Sequence, residues 1–360
     1  MTRLAVDGSG LARPMAGMGT YTRHILAAMA SARADAEFVV YGPQAAGDAV
    51  PGALRQTPRL PLVGRHLLWP LALRRLRASA FLGCAGQLPL GGAGGPAAIT
   101  VHDLAIYRHP EWFPEGQWLS VKLAVPRSLR RADAVIAVSR NTADDARELF
   151  SVPPERIHVV PLGAGSEFRP PAPEAVEAER RRLGLPERFI LFFSTIEPRK
   201  NLHTLLDAWE RMGRTPALVV AGGWGWRSEE LRGRFEAAGD RLRLLGQVAP
   251  ADLPSLYGLA DCLAHPAWYE GFGLTPLEAM ACGTPVVCSD SSSLPEVVAG
   301  AGLLVSPGDA WAWAEALGSV LEDAGRRRAM REAGLRRAAE LTWERAAKET
   351  WAVLDGIARR

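Results

Sequence analysis

"CLAHPAWYEGFGLTPLEAMACGTPVVCSD", residues 262–290, holds a strand, a glycine turn, a helix and a second strand in one run. "CLAHPA" and "PVVCSD" are short apolar runs ending in polar residues, the pattern of strands buried on both faces of a parallel sheet. "PLEAMACG" between them reads as helix, so the whole is a βαβ unit. The turn at Gly271, Phe272 and Gly273 opens that helix. Backbone turning at two glycines can aim its N–H groups at one spot, and a helix N-terminus adds donors and partial positive charge, which together suit phosphate oxygens. Two carboxylates, Glu270 and Glu278, flank the turn with seven residues between them. Glu278, placed by the spacing in the first turn of the helix, can accept hydrogen bonds from neighbouring ribose hydroxyls. Glu270, on the other side of the phosphates, can hold hydroxyls of a second sugar, so the stretch suits a sugar–diphosphate–sugar ligand. A helix start carrying a dipole-favouring glutamate would account for the same residues without any ligand.

The alternation of strand and helix extends upstream through "RFILFFST", "NLHTLLDAWERM", "ALVVAGG", "SEELRGRFEAAG", "LRLLGQV" and "DLPSLYGLA". An independent array of the same kind opens the chain, with strands at Leu4–Asp7, "AEFVVYG", "AAITVHD" and "ADAVIAVS". Between the arrays, "FRPPAPEAVEAERRRLGLPE" is rich in proline and charge and lacks an apolar period, which marks a connection. The fold class is therefore α/β, with a first domain over 1–165, a linker over 166–187 and a second domain over 188–342. The helical, arginine-rich tail leaves 343–360 as a last helix that could cross back to the first domain. Two doubly wound domains would put ligands at the carboxyl ends of their strands, in the cleft between them.

The segment "STIEPRKNLHTLLDA", 194–208, carries the second chemical signal. Arg199 and Lys200 stand side by side at a strand-to-helix junction, an unfavourable place for two cations unless an anion lies there. A compact ammonium and a planar guanidinium both suit a diphosphate, although a solvated surface pair is the plainer explanation.

Composition excludes other classes. A net charge of +3 does not argue for nucleic acid, and the four cysteines show neither CxxC nor zinc-ligand spacing, so they read as reduced, mostly buried thiols of a cytoplasmic protein. No Asp-x-Asp motif is present to hold a metal, and the expectation is no metal and no cofactor. The N-terminus lacks a signal-peptide core and no apolar run approaches a membrane span. "LPLVGRHLLWPLALRRLR", 60–77, mixes leucines and arginines at near-helical spacing. It can lie on the inner face of an anionic membrane, but reads first as an amphipathic helix packed on its domain with arginines in water.

Taken together, "IEPRKN", "PAWYEGFGLTPLEAMACGTPVVCSDSSSLPEV" and "AGLLVSPGD" resemble the retaining GT-B glycosyltransferases of family 4, glycosyl transferases group 1, and look closest to the bacterial branch with polysaccharide mannosyltransferases. "AGMGTYTRHIL", "TVHDLAIYRHPEWFP", "VIAVSRNTADD" and "VVPLGAG" extend the likeness over nearly the whole chain. The resemblance implies two Rossmann-like domains facing each other across a cleft. It implies that Glu270 holds the donor sugar's 3- and 4-hydroxyls, and that the backbone of Phe272, Gly273, Leu274 and Thr275 meets the diphosphate. Glu278 would bind the ribose, Lys200 and Arg199 neutralise the phosphates, and Gly17 and Gly19 close on the diphosphate from the first domain. His102 would sit over the anomeric centre, and the base would lie near Gly246 to Val248. Ser194 and Thr195 depart from the family's usual Gly and phosphate-binding Arg, which makes Arg199 the partner of Lys200. "FLGCAGQLPL", 81–90, departs most, on the acceptor side.

The implied reaction transfers a hexosyl group, with GDP-mannose the first guess, from a nucleoside diphosphate to a hydroxyl of a glycan, a lipid-linked oligosaccharide or a small metabolite. A nucleotide-sugar epimerase or hydrolase on the same fold, or a binding protein without catalysis, would use the same residues. A dinucleotide oxidoreductase would not, since "GSGLARPMAGMG" is out of register for G-x-G-x-x-G.

Overall fold

The computed structural model describes residues 2–12, 17–42, 54–56, 64–116, 119–172, 174 and 176–359. The chain divides into two compact units: Met1–Arg108, Glu115–Gly163 and Thr342–Arg360 form the first, and His109–Pro114 with Ala164–Leu341 form the second. The short stretch His109–Pro114, inside the sequence of the first array, thus groups with the second unit. Its carbonyls at Glu111 and Trp112 accept hydrogen bonds from Arg227 and Trp226.

The first unit has the strands β1 (Arg3–Asp7), β2 (Glu37–Tyr41), β3 (Leu54–Gln56), β4 (Ala80–Gly83), β5 (Ala97–Val101), β6 (Ala134–Ala137) and β7 (Ile157–Val159). They form a parallel sheet in the order β3-β2-β1-β4-β5-β6-β7. Strands β3, β4 and β7 are three or four residues long, and the sequence pattern does not mark them. Yet β4, "AFLG", is buried throughout and lies between β1 and β5. Two helices cover one face together. Helix α1 (Gly17–Ala32) packs through Ile25, Leu26 and Met29. The last helix, Trp343–Ala358, is capped by Thr342 and joins it through Trp351, whose Nε1 donates to the Met29 carbonyl at 3.1 Å. Arg33 lies 4.4 Å from the centroid of the same indole and pairs with Asp355.

The second unit has β8 (Phe189–Phe193), β9 (Ala217–Ala221), β10 (Leu242–Gly246), β11 (Cys262–His265), β12 (Val286–Ser289) and β13 (Leu303–Val305). The order is β10-β9-β8-β11-β12-β13, all parallel. "FILFF" is a continuous apolar run because β8 has a strand on each side and helices over its faces. Helix α2 (Leu202–Arg211) buries Leu202, Leu205, Leu206 and Trp209, a stripe at three- and four-residue spacing. It packs against the helix Ala310–Glu322, whose Trp313 is likewise fully buried. Both sheets reverse their winding at one place, between β1 and β4 in the first and between β8 and β11 in the second. At such a point neighbouring loops leave the strand ends in opposite directions and open a crevice.

Among the described residues, no helix is long and apolar enough to cross a membrane. All four cysteines are buried and free of disulfides. The front of the 60–77 stretch lies outside the described residues. Its remainder is a helical turn at Gly64–Leu68 running into the helix Trp69–Leu76, which packs through Trp69 and Leu73. Arg74 and Arg75 face water, as an amphipathic helix requires, but so do Leu67, Leu68 and Leu71.

Candidate active site

In the second unit the crevice is bordered by the loops that follow β8 and β11. Backbone geometry brings them together: the amide of Trp268 donates to the Arg199 carbonyl at 2.9 Å. Asn201, held at φ 54° in the loop after β8, ties it to the loops after β11 and β13, its amide nitrogen donating to the carbonyls of Pro266 at 3.0 Å and Pro307 at 2.6 Å. Gly222, at the end of β9, shows why this rim tolerates no larger residue: at φ 125° an added Cβ would lie 1.9 Å from the Ser194 carbonyl oxygen.

Glu270 is the hub of a buried polar cluster. Its Oε1 accepts from Lys200 Nζ at 2.5 Å and from His265 Nε2 at 2.8 Å, and its Oε2 faces Arg199 Nη1 at 3.3 Å. Arg199 also donates to Glu197 Oε1 at 3.1 Å and to the Tyr269 carbonyl at 2.9 Å. The main chain of Glu270 is pinned by two serines, its amide donating to Ser292 Oγ at 2.8 Å and its carbonyl accepting from Ser293 Oγ at 2.9 Å. The anion that makes two adjacent cations acceptable is thus first of all the protein's own: Glu197 and Glu270 balance Arg199 and Lys200. Burial would raise the Glu270 pKa, but Lys200, Arg199 and the hydrogen bond from His265 outweigh it and hold the carboxyl well below its usual range. Burial, with the like charge of Arg199, draws the Lys200 ammonium below its ordinary value.

The helix α3 (Leu274–Ala281) starts directly after the turn, with Gly273 at φ 115° as its N-terminal flanking residue and no side chain capping it. Its first amides, those of Leu274 and Thr275, are therefore left for a ligand to meet. Phe272 packs in the core beneath, and its carbonyl accepts from Ser293 Oγ at 2.6 Å. Glu278 is the fifth residue of α3, in the second turn and not the first, because the helix begins at Leu274. Helical side chains lean back toward the N-terminus, so its carboxyl still lies over the preceding turn. Glu278 is buried and accepts from Tyr257 OH at 3.0 Å. Its pKa is pushed up to about 8, mainly by burial and further by the charge of Glu167, against the Tyr257 hydrogen bond. Val248 lies in the loop after β10, two residues beyond Gly246, whose carbonyl accepts from the Gly222 amide at 2.7 Å.

In the first unit, Gly17 and Gly19 belong to the opening turn of α1, and the loop residues before them lie outside the described residues. His102 follows β5 and is half-buried; its Nε2 is 2.8 Å from the Cys84 carbonyl at the end of β4. The ring of Tyr21, in the second turn of α1, meets the His102 ring edge-on at 4.7 Å, and Tyr21 OH bonds Thr100 Oγ1 at 2.8 Å. Burial lowers the pKa of His102 and favours the neutral ring.

The members of these clusters that the sequence pattern does not mark include Glu197, Tyr257 and His265. A histidine ending an apolar strand reads as a core residue, and the only pointer to His265 is its place five residues before Glu270. No group of metal-ligating side chains occurs among the described residues.

The profile described as glycosyl transferases group 1 matches residues 175–337, and that described as glycosyltransferase family 4 matches 15–167. An O-antigen chain mannosyltransferase B from Escherichia coli is 35% identical over 265 residues, spanning 71% of this chain and 68% of the relative. A D-inositol 3-phosphate glycosyltransferase from Salinispora tropica is 35% identical over 280 residues, spanning 71% of this chain and 58% of the relative. The crystal structure of Anabaena HepE in complex with UDP and glucose superposes with a TM-score of 0.77 at 21% identity, covering 98% of this chain and 99% of that one. A likeness at that identity establishes the shared GT-B architecture and nothing about the ligand.

Proposed function

The chain belongs to the family 4 glycosyltransferases, and on that footing we propose that it moves a hexosyl group from a nucleoside diphosphate sugar to an acceptor hydroxyl with retention of anomeric configuration. The observation that carries this reading is the buried cluster of Glu270, Lys200, Arg199 and His265 beside the uncapped start of α3. Breaking the anomeric C–O bond builds negative charge on the leaving diphosphate and positive charge on the sugar. Lys200 has three N–H donors and gives one to Glu270, so two remain for phosphate oxygens. The amides of Leu274 and Thr275 and the partial charge of the helix end add to that stabilisation. Arg199 supports the site mainly by fixing Glu270 and Glu197. Glu270 is the acceptor for the donor sugar's hydroxyls, and Glu278 for the ribose. The leaving diphosphate takes the proton of the attacking hydroxyl on the same face, so no carboxylate nucleophile and no metal enter the mechanism. Within the first unit, burial keeps the His102 ring neutral.

GDP-mannose is the proposed donor, a choice supported by the mannosyltransferase among the relatives. The test is binding and slow hydrolysis of GDP-mannose, UDP-glucose, UDP-GlcNAc, UDP-galactose and dTDP-rhamnose with EDTA present. One donor bound and cleaved supports the reading. No binding to any of them, with Lys200→Ala changing nothing, overturns it.

The proposed acceptor is a glycan on a lipid carrier, reached from the inner membrane face. The helical segments 64–76 and 119–131 join strands in the same direction of travel, from β3 to β4 and from β5 to β6. Right-handed crossovers therefore put both on one face of the first sheet. Neither segment contains a carboxylate, while Arg74, Arg75, Lys122, Arg127, Arg130 and Arg131 are exposed. Leu67 and Leu71 are 63% and 54% exposed beside them. Anionic headgroups would meet the cations and acyl chains the leucines. Co-sedimentation with anionic but not neutral vesicles supports this contact, and its absence removes it.

A further inference from the structure

The mechanism above leaves a buried titratable side chain of the Glu270 cluster without a part. His265, the last residue of β11, has a side chain 3% exposed, with Nε2 on Glu270 Oε1 at 2.8 Å. Its other nitrogen, Nδ1, is buried with no hydrogen-bond partner. A protonated ring would leave an N–H donor unsatisfied there and add a third positive charge to Lys200 and Arg199. The ring is therefore neutral, with its one proton on Nε2, pointing at Glu270. A carboxylate oxygen takes two hydrogen bonds. Oε1 is filled by Lys200 and His265, whereas Oε2 has Arg199 at 3.3 Å and one position left. Lys200 alone could swing Glu270, because an ammonium is a point charge on a flexible stem. The imidazole, fixed on a central strand, cannot.

We propose that His265 is a positioning residue: its Nε2–H anchors Oε1 of Glu270 so that Oε2 is presented to a hydroxyl of the donor sugar. This rests on the proposed reading of Glu270 as the sugar-holding carboxylate. His265 acts on the sugar half of the donor through Glu270 and has no contact with the diphosphate or base half. The groups facing the ring are Glu270, Lys200 and Arg199, with Cys288 opposite on β12, its thiol pushed up by burial.

The experiment is calorimetric titration of the full chain with GDP-mannose and UDP-glucose, and separately with GDP and UDP. The proteins are the wild type, His265→Leu, His265→Asn and His265→Gln. Leu removes the donor, Asn keeps a polar group but cannot reach Glu270, and Gln restores an N–H near the Nε2 position. The expected result is a loss of about tenfold or more in nucleotide-sugar affinity for Leu and Asn, with recovery to within about threefold for Gln. The affinity for the free nucleoside diphosphate stays within about twofold throughout. Nitrogen-15 spectra of histidine-labelled wild type show a neutral Nε2–H ring at neutral pH. Equal loss of nucleotide sugar and nucleotide makes His265 merely structural and overturns the proposal, as does wild-type sugar affinity in both Leu and Asn. If Leu does not fold, the Asn and Gln pair decides. A wild type that binds no nucleotide or nucleotide sugar sinks the functional reading itself, a different outcome from nucleotide binding that is indifferent to His265.

Discussion

Removing the charge of Lys200 should destabilise the second unit even with no substrate present. Lys200→Met keeps the length of the side chain and leaves the Glu270 carboxylate, 11% exposed, with Arg199 at 3.3 Å and His265 at 2.8 Å. Breaking a buried pair by deleting one partner costs about 3–5 kcal/mol when the other charge is stranded. Arg199 takes up part of that charge, so the expected loss is about 2–3 kcal/mol, or roughly 5–10 °C in Tm for a unit of this size. Glu270→Gln alone strands Lys200 instead, and its already lowered pKa lets it shed the proton, so the loss is smaller, about 1–2 kcal/mol. The double variant contains neither charge. It should therefore be less damaged than the sum of the singles, with a coupling of about 1–2 kcal/mol. Thermal melts or urea titrations of the four proteins, with CD to confirm the fold, give the cycle. Additivity within about 0.5 kcal/mol would refute the buried pair as the organising contact of the site. Both singles should also lose transfer activity, for different reasons: Lys200→Met loses leaving-group stabilisation and Glu270→Gln loses its sugar acceptor.

Further expectations concern the surroundings. Glu278, with its pKa raised to about 8, binds a proton in the folded chain that the unfolded chain releases near its ordinary value. Stability should fall as pH rises from about 4.5 to about 8 and level off above, and Glu278→Gln should flatten that slope in a Tm-versus-pH series. Nucleoside diphosphate affinity should rise over the same range, because a ribose hydroxyl prefers the ionised carboxylate, and Glu278→Gln should abolish the rise in calorimetry. Gly222→Ala forces a Cβ to within 1.9 Å of the Ser194 carbonyl oxygen and should cost about 2–5 kcal/mol by chemical denaturation, with nucleotide affinity lost alongside. Trp351→Ala empties the contact between the last helix and α1 and should cost about 3–5 kcal/mol, read as a loss of Tm that leaves nucleotide binding by the second unit intact.

Length and periodicity decide how much of this architecture can be read from residues. The runs "FILFF" and "ALVVA", and "FVVY" after Glu37, are four or five residues of continuous apolar character and announce themselves as buried parallel strands. β4 and β7 do not stand out in the same way, although β4 sits at the centre of its sheet. The turn around Gly273 and the spacing of Glu270 and Glu278 are legible because backbone conformation and residue spacing are local properties. The place of Glu278 within α3 slipped by one turn, since a helix start is set by the backbone conformation of Gly273 and leaves no mark in the apolar period.

What the sequence determines by itself is therefore the class of each element, the two-array organisation and the chemical types near the strand ends. Partnership is decided only in three dimensions. Arg199 and Lys200 lie some seventy positions from Glu270, and their mutual repulsion says only that an anion must be near. The winding order of the sheet, with β8 beside β11, selects Glu270 as that anion and recruits His265 and Ser292 to hold it. Local sequence governs backbone conformation through short-range sterics, but the energy of a buried charge depends on every group within a few ångströms, and those neighbours are chosen by the topology of the fold.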